Sequence, residues 1–327
     1  MSFALRHRRL HERAALLGRL RGFFVARGFL EIETPLLDDE LIPELHIEPF
    51  AVADGARTLW LQASPELPMK RLLAEGLPAI FQATRSFRRG EQGRHHNREF
   101  TIVEWYRAGD DYAAGIALLA ELIGELTRLP ATQITYREAF LRYAAVDPFT
   151  ATPAELQAVA VQHGIAFDDD DDPPPPADSR QSRAESLPFD ELLNLLLAKL
   201  VEPHLGAQCP HILLDYPASQ AALARTAVRD DGVEVAERFE LYWRGVELAN
   251  GYHELIDPTL LRQRLTEVNE QRRRDGRVAP PLPERLLAVM ESPGLPPCAG
   301  CALGFDRLAM LVAGASEVGD VMVFASE

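Results

Sequence analysis

Residues 81–107, FQATRSFRRGEQGRHHNREFTIVEWYR, are two extended runs joined by a loop crowded with Arg, His and Asn. The first run covers Ala79 to Phe87 and the second Glu99 to Tyr106, with Gly90 and Gly93 between them as turn formers. The pattern predicts an antiparallel hairpin. Side chains alternate along a strand, so Phe100, Ile102, Glu104 and Tyr106 share one face while Thr101, Val103 and Trp105 take the other. Glu104 and Tyr106 are therefore neighbours. A carboxylate among apolar strand residues is costly unless paired, and either a cationic ligand or an internal ion pair to an Arg would satisfy it.

The 327 residues amount to about two domains by length, although large α/β cores also reach this size as single units. A buried core is within reach, with 47% hydrophobic residues. Three cysteines are too few for a disulfide framework or a four-thiolate zinc site. Cys298 and Cys301 have CxxC spacing but lack a second pair and a thioredoxin-like context, so redox or metal chemistry is not the expectation. No apolar run approaches the ~20 residues of a membrane span and no signal peptide precedes the Arg-rich start, which predicts a soluble, cytoplasmic protein with no membrane partner. The formal net charge of −15 argues against a chain whose main task is gripping nucleic acid. One local basic patch exists. Arg6, Arg8, Arg9, Arg13, Arg19, Arg21 and Arg27 lie opposite Leu10, Ala14, Leu17, Leu20 and Phe24, as on an amphipathic helix. The arginine face reads as a solvated surface first and as a docking surface for an acidic partner second.

Gly28 can end that helix, and Phe29 to Thr34 then form a short alternating strand stopped by Pro35, an entry able to pack against a copy of itself. Ser64-Pro65-Glu66 reads as a helix start running to Gly76, with Ser as N-cap, Pro at the first helical position and Glu complementing the dipole. From Phe167 to Leu187 the runs Asp168–Asp172 and Pro173–Pro176 predict an exposed insertion outside any core. Asp190 to Val201 reads as a leucine-rich helix and His211 to Tyr216 as a short strand. Between Glu237 and Pro258, Gly245 sits where a hairpin could turn, so Glu240 and Glu247 are expected to face each other, with Asn250, Tyr252 and Glu254 together on one face. Two converging carboxylates can hold Mg²⁺ when phosphates supply the other ligands. Lastly, CALGFDRLAML predicts a strand delivering Gly304 to a helix that begins near Asp306 and ends at Gly314. Arg307 in its first turn opposes the macrodipole, a local conflict of the kind found at functional sites.

In this order and spacing the segments resemble the class II aminoacyl-tRNA synthetases. GFLEIETPLL is similar to motif 1, Phe87-Arg88 through Glu104 to motif 2, and ALGFDRL to motif 3. SPE before a helix, RHHNREFTIVEWY and ELANGYHEL narrow the resemblance to the lysine-specific branch. Lysyl-tRNA synthetases carry an OB-fold anticodon-binding domain ahead of motif 1, whereas motif 1 here begins by Gly28, so no anticodon-binding domain is expected. The chain therefore resembles most the stand-alone synthetase-like enzymes that ligate (R)-β-lysine to a lysine of translation elongation factor P. Its rivals are a stand-alone lysyl-tRNA synthetase and a catalytically inactive homologue acting as a sensor or regulatory subunit.

The resemblance implies an α+β fold, a class II catalytic core with an antiparallel β-sheet flanked by helices, in one domain over 1–327 that dimerises through motif 1. It implies ATP and Mg²⁺, (R)-β-lysine as substrate, elongation factor P as acceptor, and no tRNA. Arg88 would meet the α-phosphate, Asn97 would hold the nucleotide, and Arg307 would stack near the adenine or pair with phosphate. Arg89, Gly90, Glu91, Leu241 and Gly304 would line the nucleotide site, and Glu240 and Glu247 would bind Mg²⁺. Ser64, Pro65, Glu66, Glu104, Tyr106, Glu247, Asn250, Tyr252, Glu254 and Ala302 would form the amino-acid pocket. Two positions depart from the family pattern. Motif 2 reads Phe-Arg-x-Glu, but Gly90 stands at that Glu and Glu91 follows; Ala302 replaces the motif 3 Gly of lysyl-tRNA synthetases.

Overall fold

The computed structural model describes residues 3–165 and 187–325, so the expected insertion at 167–187 lies outside the described residues apart from Leu187. The chain packs into two compact units. The first comprises Met1–Leu129, Leu223–Arg225 and Leu248–Glu327, and the second Pro130–Ala222 and Thr226–Glu247.

In chain order the elements are α1 (Phe3–Ala26), β1 (Leu30–Glu31), β2 (Leu37–Asp38), β3 (Phe50–Asp54), β4 (Arg57–Leu61), α2 (Glu66–Ala74), β5 (Ala79–Phe87), β6 (Glu99–Ala108) and α3 (Tyr112–Thr127). They continue with β7 (Thr132–Thr135), α4 (Tyr136–Tyr143), α5 (Pro153–Gln162), α6 (Phe189–Leu196), β8 (His211–Pro217), β9 (Thr226–Val228), β10 (Glu234–Trp243) and β11 (Val246–His253). The last are α7 (Pro258–Arg274), α8 (Glu284–Glu291), β12 (Cys298–Gly304) and α9 (Phe305–Val312).

In the first unit the sheet runs β1-β5-β6-β12-β11. β1 joins β5 in parallel, while β5, β6, β12 and β11 pair antiparallel. Strand alternation sorts the core. Phe81 and Trp105, cross-strand partners, meet Phe24 of α1 at 4.8 and 5.1 Å between ring centroids. Ile80, Tyr106 and Cys298 point the opposite way and join Leu67, Met69 and Leu73 of α2, Leu261 and Leu265 of α7, and Leu286, Leu287 and Met290 of α8. The sheet is thus covered by α1 on one face and by α2, α7 and α8 on the other, as a helix-flanked sheet requires.

Helix α1 forms where periodicity predicts it, but its buried face is turned. Leu16, Leu20, Phe23 and Phe24 are buried and Ala14 is exposed. The reason is charge. Asp306, 4% exposed, needs a partner, and Arg13 supplies one at 2.5 Å while its other terminal nitrogen donates to Thr101 Oγ1 at 2.8 Å. Arg9 likewise pairs with Asp320 at 2.9 Å. Arg9 and Arg13 are therefore internal partners and not part of a solvated docking face.

In the second unit the strand order is β10-β8-β7, with β9 on the edge of β10. Helices α4 and α5 each start with a capping box, Thr135 with Glu138 and Thr152 with Glu155. Their apolar faces pack with Leu192, Leu193 and Leu196 of α6, which ends in a π-turn over Leu197–Val201 inside the helix expected to reach Val201. The β10–β11 turn is Arg244–Gly245, both with positive φ (53° and 72°), the conformation of a two-residue hairpin whose twist matches its strands. Such a turn sets Glu247 opposite Tyr242. Glu240 is one diagonal step away on the same face, not directly across from Glu247 as expected.

Candidate active site

Four strands of the first unit bring the expected amino-acid-site residues onto one sheet face by register alone. Gln82, Glu104, Ala302 and Asn250 are successive cross-strand partners, and Ile80, Tyr106, Gly300 and Tyr252 form the next row. Directly opposed residues share a face, so these rows lie side by side. Glu254 follows β11, its N–H donating to the Cys298 carbonyl at 3.0 Å. The pairings inferred from alternation, Glu104 with Tyr106 and Asn250 with Tyr252 and Glu254, thus fall on one surface.

Helix α2 adds Glu66. The helix is regular from Glu66, one residue later than expected, with Pro65 before it. The Ser64 hydroxyl makes the expected capping bond, accepting from the Glu66 N–H at 3.0 Å, and also donates to Glu104 Oε1 at 2.6 Å, tying the helix start to β6. Tyr106 donates to Glu104 Oε2 at 3.3 Å. Lys70, missed in the sequence, lies between two of the carboxylates, 2.5 Å from Glu66 Oε1 and 2.6 Å from Glu254 Oε2. It stands four residues after Glu66 on the same helix face, and that spacing was the available signal. The internal cation expected as an Arg is a Lys, and Glu104 keeps hydrogen bonds in place of a contacting cation.

The shifted protonation of this cluster follows from burial. Burial first, then the charge of Glu66, pushes Glu104 up to about 8, against the hydrogen bonds from Ser64 and Tyr106. Burial pushes Glu254 up to about 7 even though Lys70 pulls it down. Burial would lower Lys70, but Glu254 and Glu66 outweigh it and hold the ammonium above its ordinary value. Burial and the charges of Glu66, Glu104 and Glu254 also raise the Tyr106 phenol, which stays a donor. Glu254 Oε1 and Asn250 Oδ1 are buried acceptors with no hydrogen bond, while Asn250 Nδ2 donates to the Tyr252 hydroxyl at 2.8 Å. Such a surface accepts cations. Its floor is small by necessity. A Cβ at Gly300 would come 2.2 Å from the Tyr106 ring and 2.5 Å from Glu254 Oε1.

The motif 2 loop and α9 carry the positive groups. Arg88 lies over the Phe100 ring at 5.0 Å and 3.4 Å from Glu91 Oε1. Arg89 donates its backbone N–H to the Glu48 carbonyl at 2.7 Å, and Gly90, at φ 83°, turns the loop. Asn97 is buried and donates to the Glu99 carbonyl at 2.5 Å. Arg307 donates to the His95 carbonyl at 3.1 Å and to His96 Nε2 at 2.6 Å. Burial, then neighbouring arginines, lower both imidazoles, so His96 is neutral and can accept from Arg307. Neither histidine was singled out from sequence. Gly304 caps α9 with its Cα side facing the Leu248 carbonyl, 3.6 Å from where a Cβ would sit.

Glu240, Leu241 and Glu247 belong to the second unit. Leu241 is buried opposite Ile212. Glu240 Oε2 accepts from Tyr216 at 2.5 Å and Tyr242 at 2.6 Å, and Oε1 pairs with Arg238. Among the described residues no group of three or more His, Cys, Asp or Glu could hold a metal. Two carboxylates on one face of a hairpin suit Mg²⁺ only if nucleotide phosphates complete the shell, and Arg238 would then yield Glu240 Oε1. Cys298 and Cys301 are three apart on β12 and so point to opposite faces, and burial raises both thiols.

Residues 5–327 match the family described as tRNA synthetases class II (D, K and N). The chain is 41% identical over 322 residues to an elongation factor P–(R)-β-lysine ligase of Klebsiella pneumoniae subsp. pneumoniae, covering 96% of this chain and 94% of that protein. It is 40% identical, with the same coverage, to the ligase of that name from Salmonella typhi. Matched from α1 to its last residue, the chain belongs to the class II tRNA synthetases (D, K and N), alongside the elongation factor P–(R)-β-lysine ligases.

Proposed function

We propose that this protein is an ATP-dependent ligase that activates (R)-β-lysine as its acyl-adenylate and transfers it to the ε-amine of a lysine on elongation factor P. The observation that carries the reading is the buried set Glu66, Glu104 and Glu254 on one sheet face, in a chain so similar to ligases of that name. A β-lysine carries two ammonium groups, which such carboxylates would bind, leaving its own carboxylate for attack on the α-phosphorus of ATP. Pyrophosphate leaves, and the ε-amine of the acceptor then attacks the mixed anhydride, forming an amide and releasing AMP. No protein nucleophile is needed, because orienting the reactants and stabilising phosphate charge supply the acceleration. Arg88 and Arg307 would contribute that positive charge. The resemblance also implies Mg²⁺, with Glu240 and Glu247 as the carboxylates that would bind it.

A protein lysine, not tRNA, is the acceptor in this reading, and the enzyme works in the cytoplasm. Among the described residues no helix is long and apolar enough to cross a membrane. A homodimer through motif 1 would cover Leu30, Leu36 and Leu37, which are 52%, 39% and 40% exposed. The test is incubation with ATP, (R)-β-lysine and purified elongation factor P followed by intact mass, with tRNA charging in parallel. Addition of one β-lysyl group per factor is expected; charging of tRNA with no change in the factor would overturn the proposal.

A further inference from the structure

Lys70 has no place in the reaction just described, yet it is the most enclosed cation of the pocket. Its side chain is 3% exposed, between Glu66 at 11% and Glu254 at 1%, so it sits on the closed side of Glu66. A buried ion pair of this kind is weak evidence for stabilisation, because apolar residues of similar volume often do as well. Its effect on charge is larger. With every group ionised, three carboxylates and one ammonium leave the pocket at a formal −2. Without Lys70 it would stand at −3.

Contact with both carboxylates also holds them in position. Lys70 joins α2 to the segment after β11, fixing Glu254 Oε2 while Oε1 remains the buried acceptor over Gly300. We infer that Lys70 is a positioning and specificity-determining residue: by bridging Glu66 and Glu254 it trims a three-carboxylate pocket to the charge of two ammonium groups, selecting a diamino acid. This rests on the proposed activation of (R)-β-lysine. An amino acid with a single ammonium would leave one negative charge buried and unmatched, which a low-dielectric site disfavours.

The experiment measures the pH profile of kcat/KM for (R)-β-lysine in ATP–pyrophosphate exchange. Lys70→Met should shift the acid limb to higher pH by about one unit and raise KM about tenfold, with little change in kcat, because Glu254 and Glu104 lose the nearby cation that favours their ionised forms. A merely structural lysine would not move that limb. The double variant Lys70→Met with Glu254→Gln restores the formal −2 and should bind the substrate better than Lys70→Met alone and better than Glu254→Gln alone, which stands at −1. Should Lys70→Met not fold, the comparison of the double variant with Glu254→Gln decides. An unmoved limb, or a double variant no better than the single ones, overturns the inference. Wild-type exchange that does not respond to (R)-β-lysine would instead overturn the proposed function, and this inference with it.

Discussion

Gly300→Ala is the smallest change that tests whether the pocket is built as described. The added methyl would lie 2.2 and 2.3 Å from two Tyr106 ring carbons and 2.5 Å from Glu254 Oε1. Carbon atoms in contact prefer about 3.5–4.0 Å, so the ring has to retreat by roughly 1.5 Å. It has little room, since Tyr106 is 4% exposed and packed against Leu67, Met69 and Ile80. Retreat also removes its hydroxyl from Glu104. Overpacking of this kind costs about 1–3 kcal/mol, which appears as about 5- to 150-fold in amino-acid affinity if the strain is relieved by distorting the pocket. The assay is pyrophosphate exchange with (R)-β-lysine and ATP varied separately, together with urea unfolding. KM for the amino acid should rise while KM for ATP changes less than about threefold. Gly124→Ala in α3, where the nearest atom is 3.8 Å away, is the control. A Gly300→Ala enzyme with unaltered amino-acid KM would show that Tyr106 and Glu254 do not line the substrate site.

Other outcomes follow from the same geometry. Glu104 and Glu254, raised to about 8 and about 7, hold protons near neutrality that a bound ammonium expels. Affinity for (R)-β-lysine should therefore climb between about pH 5 and about pH 8, by at most about tenfold per unit for each proton released; calorimetry in buffers of unequal ionisation enthalpy that finds no release refutes it. By the same sign, these carboxyls make the ligand-free fold less stable as pH rises above 4.5, because the folded chain keeps protons that the unfolded chain has lost. Ala302→Gly should raise α-lysine activation relative to β-lysine by about 10- to 200-fold, the effect of one methylene in a packed pocket, and unchanged selectivity in exchange would refute it. Arg13→Ala leaves the buried Asp306 charge with the Thr101 N–H but without its Arg13 cation, so unfolding should cost up to about 3–5 kcal/mol less. Because Asp306 precedes Arg307, KM for ATP should rise as well; a variant impaired only in acceptor modification would restore the docking role to this arginine.

Much of the site was legible because period-two alternation survives folding. The β5–β6 hairpin, the sharing of a face by Glu104 and Tyr106, and the strand-to-helix step at Gly304 all depend on neighbours in sequence. What escaped was convergence between distant elements. Periodicity assigned Ala14 to the buried face of α1, but Asp306, nearly three hundred residues later, drew Arg13 inward and turned the helix. Alternation places Glu240 facing Glu247, yet Tyr216 of β8 and the short turn at Arg244–Gly245 decide its surroundings. Lys70 was visible as a helix residue and invisible as a pocket residue, because nothing in α2 announces Glu254.

Strand β12 acts as a ruler along the proposed substrate, and that yields a prediction about length. Its same-face residues mark three levels: Gly300 beside Tyr106, Tyr252 and Glu254; Ala302 between Glu104 and Asn250; and Gly304 at the start of α9, three residues before Arg307. At about 3.3 Å per residue the outer levels are roughly 13 Å apart. An amino acid of this kind, roughly 9 Å long when extended, lying along the strand with its side-chain amine at the Gly300 level would carry its carboxylate past Ala302, pointing toward Gly304. A homologue shorter by one methylene cannot hold both ends, so either its ammonium leaves Glu254 or its carboxylate withdraws from the arginines. Loss of one methylene should lower kcat/KM in exchange by about 10- to 200-fold. If the short homologue still binds through its amine, the loss falls on kcat; if it slides to keep its carboxylate in place, it falls on KM. Equal kcat and KM for both amino acids would mean that the substrate does not lie along β12.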